Sequence, residues 1–193
     1  RAELDQFLDQ YPADERAASI ASLQQELRVN VLEAKMRRRV IGPRNVPAIE
    51  RDYRSAITRE TESPTAALEA MKAVLTLYPR KQLQSDDTYS TTDYETWIKL
   101  IERQIKRLEL PAKIEQKEDI ARATKVVDEA IELYDQALAK SDSRDAEKLL
   151  TQSRLMLRSV IQTYGGRPHA RNIVKTAKRA LESTDKTIAE IEN

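Results

Sequence analysis

The stretch Ala66–Pro79, AALEAMKAVLTLYP, carries a pattern that returns twice in the chain. Its apolar residues fall at Leu68, Met71, Val74, Leu75 and Tyr78, a spacing that keeps one stripe along a helix face. Ser63 suits an N-cap, and Pro64 suits the first helical position, where a missing N–H costs nothing. Pro79 cannot continue the helix and disfavours α geometry at Tyr78. A shorter copy opens the chain at Leu4–Pro12, LDQFLDQYP, and a longer one lies at Lys148–Gly165, KLLTQSRLMLRSVIQTYG. Each ends in a tyrosine and a breaker: Tyr11-Pro12, Tyr78-Pro79 and Tyr164-Gly165. These tyrosines are expected to act as anchors packed at helix ends.

An apolar stripe of this width needs neighbouring helices to cover it, so the fold expected is all-α: about seven to eight helices in antiparallel hairpins. Composition agrees. The chain has 193 residues, three of them Gly, and is rich in Ala, Leu, Glu, Lys, Arg and Gln. No alternating Val/Ile/Thr run reads as a strand. Charged residues make up 34%, but 33 basic residues nearly cancel 32 acidic ones, so the net charge of +1 argues for neither nucleic acid nor an acidic partner. Cysteine is absent, which removes thiol chemistry and leaves the compartment unread. No apolar run is long enough to span a bilayer.

Taken in order, Ala2–Tyr11 reads as a short helix. A second starts at Pro12–Glu15 and runs to about Val40, with Ile20, Leu23, Leu27, Val31 and Ala34 as its apolar stripe. Its end carries the chain's one contiguous charge cluster, Lys35, Arg37, Arg38 and Arg39, extended by Arg44. That cluster is either a solvated helix end, where cations suit the dipole, or a patch contacting phosphate or acidic lipid. No aromatic residue or glycine interleaves it, against the habit of nucleic-acid surfaces. Helices from Pro47 to about Thr61 and from Pro64 to Tyr78 form a hairpin. Arg80–Thr91 is polar and unpatterned, and places a boundary between an N-terminal part, 1–79, and a C-terminal long-helix bundle, 92–193. Its hydroxyls beside Asp86 and Asp87 could accept phosphate.

Thr92 and Glu95 form a capping box for a helix ending near Leu110, with Trp97, the only tryptophan, within its apolar stripe. Leu110-Pro111 should break the chain. A long helix from about Ala112 to Lys140 follows, with Ile120, Ala123, Val127, Ala130, Ile131, Tyr134, Ala137 and Leu138 inward in a seven-residue rhythm. Asp142 and Ser143 begin the third copy. Gly165-Gly166 ends it, and Pro168 opens the last helix. The three long helices should pack up-down-up.

Little in this pattern is built for chemistry. His169 is the sole histidine, without Cys and without Glu-x-x-His spacing, which leaves neither a nucleophilic pair nor a transition-metal set. Gly42, Gly165 and Gly166 read as helix terminators, not a phosphate loop. No cofactor is indicated and no catalytic residue can be named.

Counted back from the breaker, Ala67, Met71 and Val74 resemble the small, bulky and apolar positions in the second helix of a tetratricopeptide-like repeat. Ser153, Leu157, Val160 and Gly165 repeat that spacing, and Leu4, Phe7 and Pro12 keep part of it. The Trp- and Gly-bearing first helix of such repeats is missing, so an antiparallel bundle of another kind gives the same stripes. Phe7–Leu27, FLDQYPADERAASIASLQQEL, with ALEAMKAVLTLYP and LRSVIQTYGGRPHARNIV, also resembles the helical C-terminal regions of planctomycete-type transmembrane Ser/Thr kinases. That resemblance implies a fragment: the chain starts at Arg1 inside a helical pattern, and a kinase and membrane helix would lie upstream. It further implies an extracytoplasmic part of a membrane-anchored protein; without it the location expected is cytoplasmic. The helical array itself reads as a non-catalytic interaction, sensory or scaffold module of a larger signalling or envelope protein, binding a protein or peptide. Nucleic-acid or anionic-membrane binding through the Lys35–Arg44 cluster is the alternative.

Overall fold

A computed structural model describes residues 2–37, 46–79, 91–140 and 142–191, the side chains of residues 2 and 91–93 excepted. Among them are seven α-helices and no strand: α1 (Ala2–Gln10), α2 (Ala17–Arg37), α3 (Ala48–Thr58), α4 (Pro64–Leu77), α5 (Thr91–Leu138), α6 (Ser143–Tyr164) and α7 (Arg171–Ile191). The all-α class expected from the sequence is what the chain adopts. The chain divides into two compact units, Arg1–Ala112 and Lys113–Asn193. The division falls at Ala112/Lys113 and not within Arg80–Thr91, because the start of α5 packs into the first unit. Residues 80–90, with their candidate phosphate acceptors, lie outside the described residues, as does the side chain of Thr92 in the expected capping box.

Pro111 does not interrupt the helix: α5 runs through it for 48 residues. Proline removes one helix hydrogen bond and strands the carbonyl four residues back, here that of Arg107. Arg107, Leu110 and Pro111 are all exposed, so solvent can satisfy that carbonyl and the break is not forced.

In the first unit α3 and α4 form the expected hairpin. The Ser63 hydroxyl caps α4 by accepting from the Ala66 N–H (3.1 Å). The hairpin is antiparallel, because Tyr78, just past the end of α4, donates its hydroxyl to Asp52 near the start of α3 (2.7 Å). Ala67, Leu68, Met71 and Val74 of the quoted stretch are buried against Ile49, Tyr53 and Ala56 of α3 and Trp97, Ile98 and Ile101 of α5. Tyr53 and Trp97 meet edge to face with ring centres 5.6 Å apart.

In the second unit the remainder of α5 packs with α6 and α7 in the expected up-down-up order. Ala123, Val127 and Ala130 meet Leu157, Val160 and Ala177 in one core layer. Ala137, Ala146, Leu150 and Ile188 form the next. Alanines at 123, 130 and 137 keep the seven-residue rhythm and let the helices approach closely. Ser153, fully buried, donates to the Ala130 carbonyl at 2.7 Å. The Asp142 carboxylate caps α6 through the Arg144 N–H (2.8 Å). At the far end of α6, a Cβ on Gly165 would lie 2.5 Å from the Ile161 carbonyl oxygen, so this glycine is needed for clearance.

Two inward assignments on α5 need correction. Leu138 is exposed, and so is Ile120; Asp119 takes the buried place beside it. The seam slips by one residue because Asp119 has partners there that an isoleucine would not.

Candidate functional site

Helix α2 carries two apolar stripes. Val29, Leu32 and Met36, spaced three and four residues apart, turn into the first unit's core. The stripe that the sequence assigned inward turns out: Leu23 is 52% exposed, Leu27 46% and Val31 69%. Hydrophobic spacing identifies a face but not the face that finds a partner, and here the second stripe has none among the described residues.

Leu27 and Val31 form one side of an open groove of about 530 Å³. Leu32 of α2, Leu4 of α1, Pro47 before α3 and Trp97 of α5 complete its apolar lining. Its polar walls are largely self-satisfied. Glu50 is buried, and its carboxylate accepts from Arg54 Nε (3.0 Å) and Nη2 (2.8 Å). Gln24, also buried, donates to the Asp5 carboxylate, and Arg28 reaches the same carboxylate at 3.4 Å. Gln25 donates to Thr96 at 3.3 Å. The exception is Arg28 Nε, which is buried with no hydrogen-bond partner among the described residues.

Of the basic cluster, Lys35 and Arg37 are described, while Arg38, Arg39 and Arg44 lie outside the described residues. Lys35 lines the end of the groove, exposed, with no carboxylate in ion-pair range among the described residues. Arg37 is committed elsewhere, donating to Glu33 at 2.7 Å. Glu33 also accepts from Arg103 (3.3 Å) and Gln104 (3.2 Å). Burial pushes the Glu33 carboxyl up, but Arg37 and Arg103 outweigh it and hold the group below the usual carboxylate range.

The three tyrosines occupy different settings. Tyr11 is 55% exposed and touches Phe7, ring centres 5.3 Å apart; at the end of the short α1 it finds no core to enter. Tyr78 is half-buried against the first core, and its carbonyl accepts from the Tyr94 hydroxyl. Tyr164 packs against the second core, with the Arg167 guanidinium 5.3 Å over its ring.

A second polar cluster lies in the other unit and was not foreseen. Buried Asp119 accepts from Arg167, lies 3.1 Å from His169 Nε2 and is reached by Arg122 at 3.3 Å. Burial raises the Asp119 carboxyl, but Arg167 and His169 pull it net below its ordinary value. His169 Nδ1 is buried and unpartnered among the described residues. With one ring nitrogen tied to a carboxylate and the other shut from solvent, this imidazole is placed to fasten the α6–α7 corner to α5. The i+4 and i+7 spacing of Arg171, Lys175 and Lys178 also escapes a search for contiguous charge. Those side chains and Arg167 border a hollow of about 370 Å³ at the same corner.

Among the described residues no group of three or more His, Asp or Glu side chains could hold a metal ion. Nor is any helix long and apolar enough to cross a membrane. No protein-family model, curated protein or solved structure matches this chain.

Proposed function

We propose that this chain is a non-catalytic helical module that binds a protein or peptide through the groove on α2, within a larger signalling or envelope protein. The observation that carries the reading is the outward pair Leu27 and Val31, which line an apolar groove on a helix already anchored by its other face, with exposed Leu23 continuing their row one turn away. The resemblance to tetratricopeptide-like second helices and to kinase-associated helical regions supports the same reading, since both belong to architectures of stacked helices. The engagement of His169 by Asp119 favours a structural role for the chain's one histidine.

The test uses the purified chain and a synthetic amphipathic peptide bearing leucines at every fourth position and no net charge. Trp97 lines the groove and is the sole tryptophan, so its emission reports occupancy. The peptide should shift that emission in the parent chain and not in Val31→Glu, with helical circular dichroism equal in both. A hydrolytic turnover abolished by His169→Ala would overturn the reading.

A further inference from the structure

The groove has an electrical direction as well as an apolar floor. Along α2 the exposed row Leu23, Leu27, Val31 continues at the same four-residue step to Lys35. Such a row is a ridge of the kind a second helix packs against, and from Leu23 to Lys35 it is roughly 18 Å long, or about three turns. The anionic groups near it are already answered. Glu50 is held by Arg54, Asp5 by Gln24 and Arg28, and Glu33 by Arg37 and Arg103. Lys35 is left as the cation without a counter-charge among the described residues, and Arg28 Nε is left as a buried donor without an acceptor. An apolar trough that ends in an unanswered cation, beside an unfilled N–H, is complementary to one kind of visitor.

We infer that the α2 groove receives an amphipathic helix of a partner protein whose apolar ridge ends in a carboxylate side chain, the carboxylate seated at Lys35. This rests on the reading of the chain as a binding module and specifies the partner's chemistry. A second copy of the chain fits less well. Two α2 ridges crossed antiparallel about Leu27 set Lys35 opposite Ser19, and a parallel pairing sets Lys35 opposite Lys35. Neither supplies an anion, and the second brings like charges together. A helix with an acidic end supplies the counter-charge and covers the leucines in one step.

The experiment uses the full chain and three peptides of one leucine-ridge design, ending in two Glu, two Gln or two Lys residues. Trp97 emission and titration calorimetry are read together. At low salt the Glu peptide should bind on the order of tenfold tighter than the Lys peptide, with the Gln peptide between, and added salt should compress the series. Lys35→Gln should remove the difference and Lys35→Glu should invert it. Lys35 is exposed on the last turns of α2, so both variants should keep the parent circular dichroism. Equal binding of all three peptides, unaltered by Lys35→Glu, would sink the inference and leave the module reading standing. Silence of both readouts for every peptide would sink both. A dimer seen by sedimentation, lost in Val31→Glu and competing with the peptides, would assign the groove to a second copy instead.

Discussion

Asp119 and His169, fifty residues apart in sequence, meet with Nε2 of the imidazole 3.1 Å from the carboxylate. The contact joins α5 to the short turn Pro168–Ala170 that leads into α7, and Arg167 binds the same carboxylate. Three side chains thus close one corner of the second unit around a buried charge.

The corner should be sensitive to acid. The Asp119 carboxyl sits below its ordinary value of 3.8 in the folded chain, so the folded state favours the ionised form. Its contribution is complete above that value and is lost as pH falls through the lower, folded one. Asp119→Asn should lower stability at neutral pH by about 1–3 kcal/mol, since a charge-assisted acceptor for Arg167 is removed. The penalty should shrink as pH falls through the lowered, folded value, where the parent carboxyl is itself protonated. Urea unfolding of both proteins at neutral and acid pH measures this.

The two faces of α2 should respond in opposite ways. Val29 is buried and Val31 is mostly exposed, two residues on. Val29→Ala should cost about 2 kcal/mol through lost burial and a cavity. Val31→Ala should stay within about 0.5 kcal/mol. Denaturant midpoints of the two variants decide which stripe belongs to the core.

Alkaline titration should unsettle the first unit. Burial pushes the Tyr53 and Tyr94 hydroxyls up to about 12; for Tyr78, burial and its bond to Asp52 do the same. A folded value above the ordinary 10.0 means that the stabilisation is complete below pH 10.0 and is lost as pH rises toward about 12. The tyrosinate absorbance of these three residues should therefore appear late, in step with loss of Trp97 burial. In Tyr78→Phe, which removes the bond to Asp52, the tyrosinate signal should lose its Tyr78 component, and stability should fall by about 1 kcal/mol at neutral pH.

Ser153 tests how closely α5 and α6 approach. Ser153→Ala removes one buried hydrogen bond and should cost about 0.5–1.5 kcal/mol. Ser153→Leu must displace the Ala130 backbone and should cost more, on the order of 1–3 kcal/mol beyond the lost bond. Thermal melts of the pair give the ordering.

Helix-forming composition, the Ser63-Pro64 start and the Pro79 stop made the α3–α4 hairpin legible, because local chemistry sets those boundaries. The α6 cap at Asp142 and the heptad seam of the second unit were legible for the same reason. Three features were not. The Pro111 break was expected from a local rule, and an exposed helix back defeats that rule. The facing of α2 depends on which neighbours exist, and two stripes of similar strength leave a one-dimensional pattern undecided. The Asp119 cluster is assembled by Arg167 and His169 from across the fold, so nothing near Asp119 in sequence announced it; its only local trace is a seam that slips from Ile120.

The corner after α6 has a consequence for how this chain can vary over time. Gly165 and Gly166 are neighbours of one residue type, yet a methyl group at 165 collides with the Ile161 carbonyl while one at 166 meets empty space. Inherited substitutions can accumulate at the second position without disturbing anything nearby. At the first, even the smallest replacement must pry open the last turn, so the junction is pinned at a single codon.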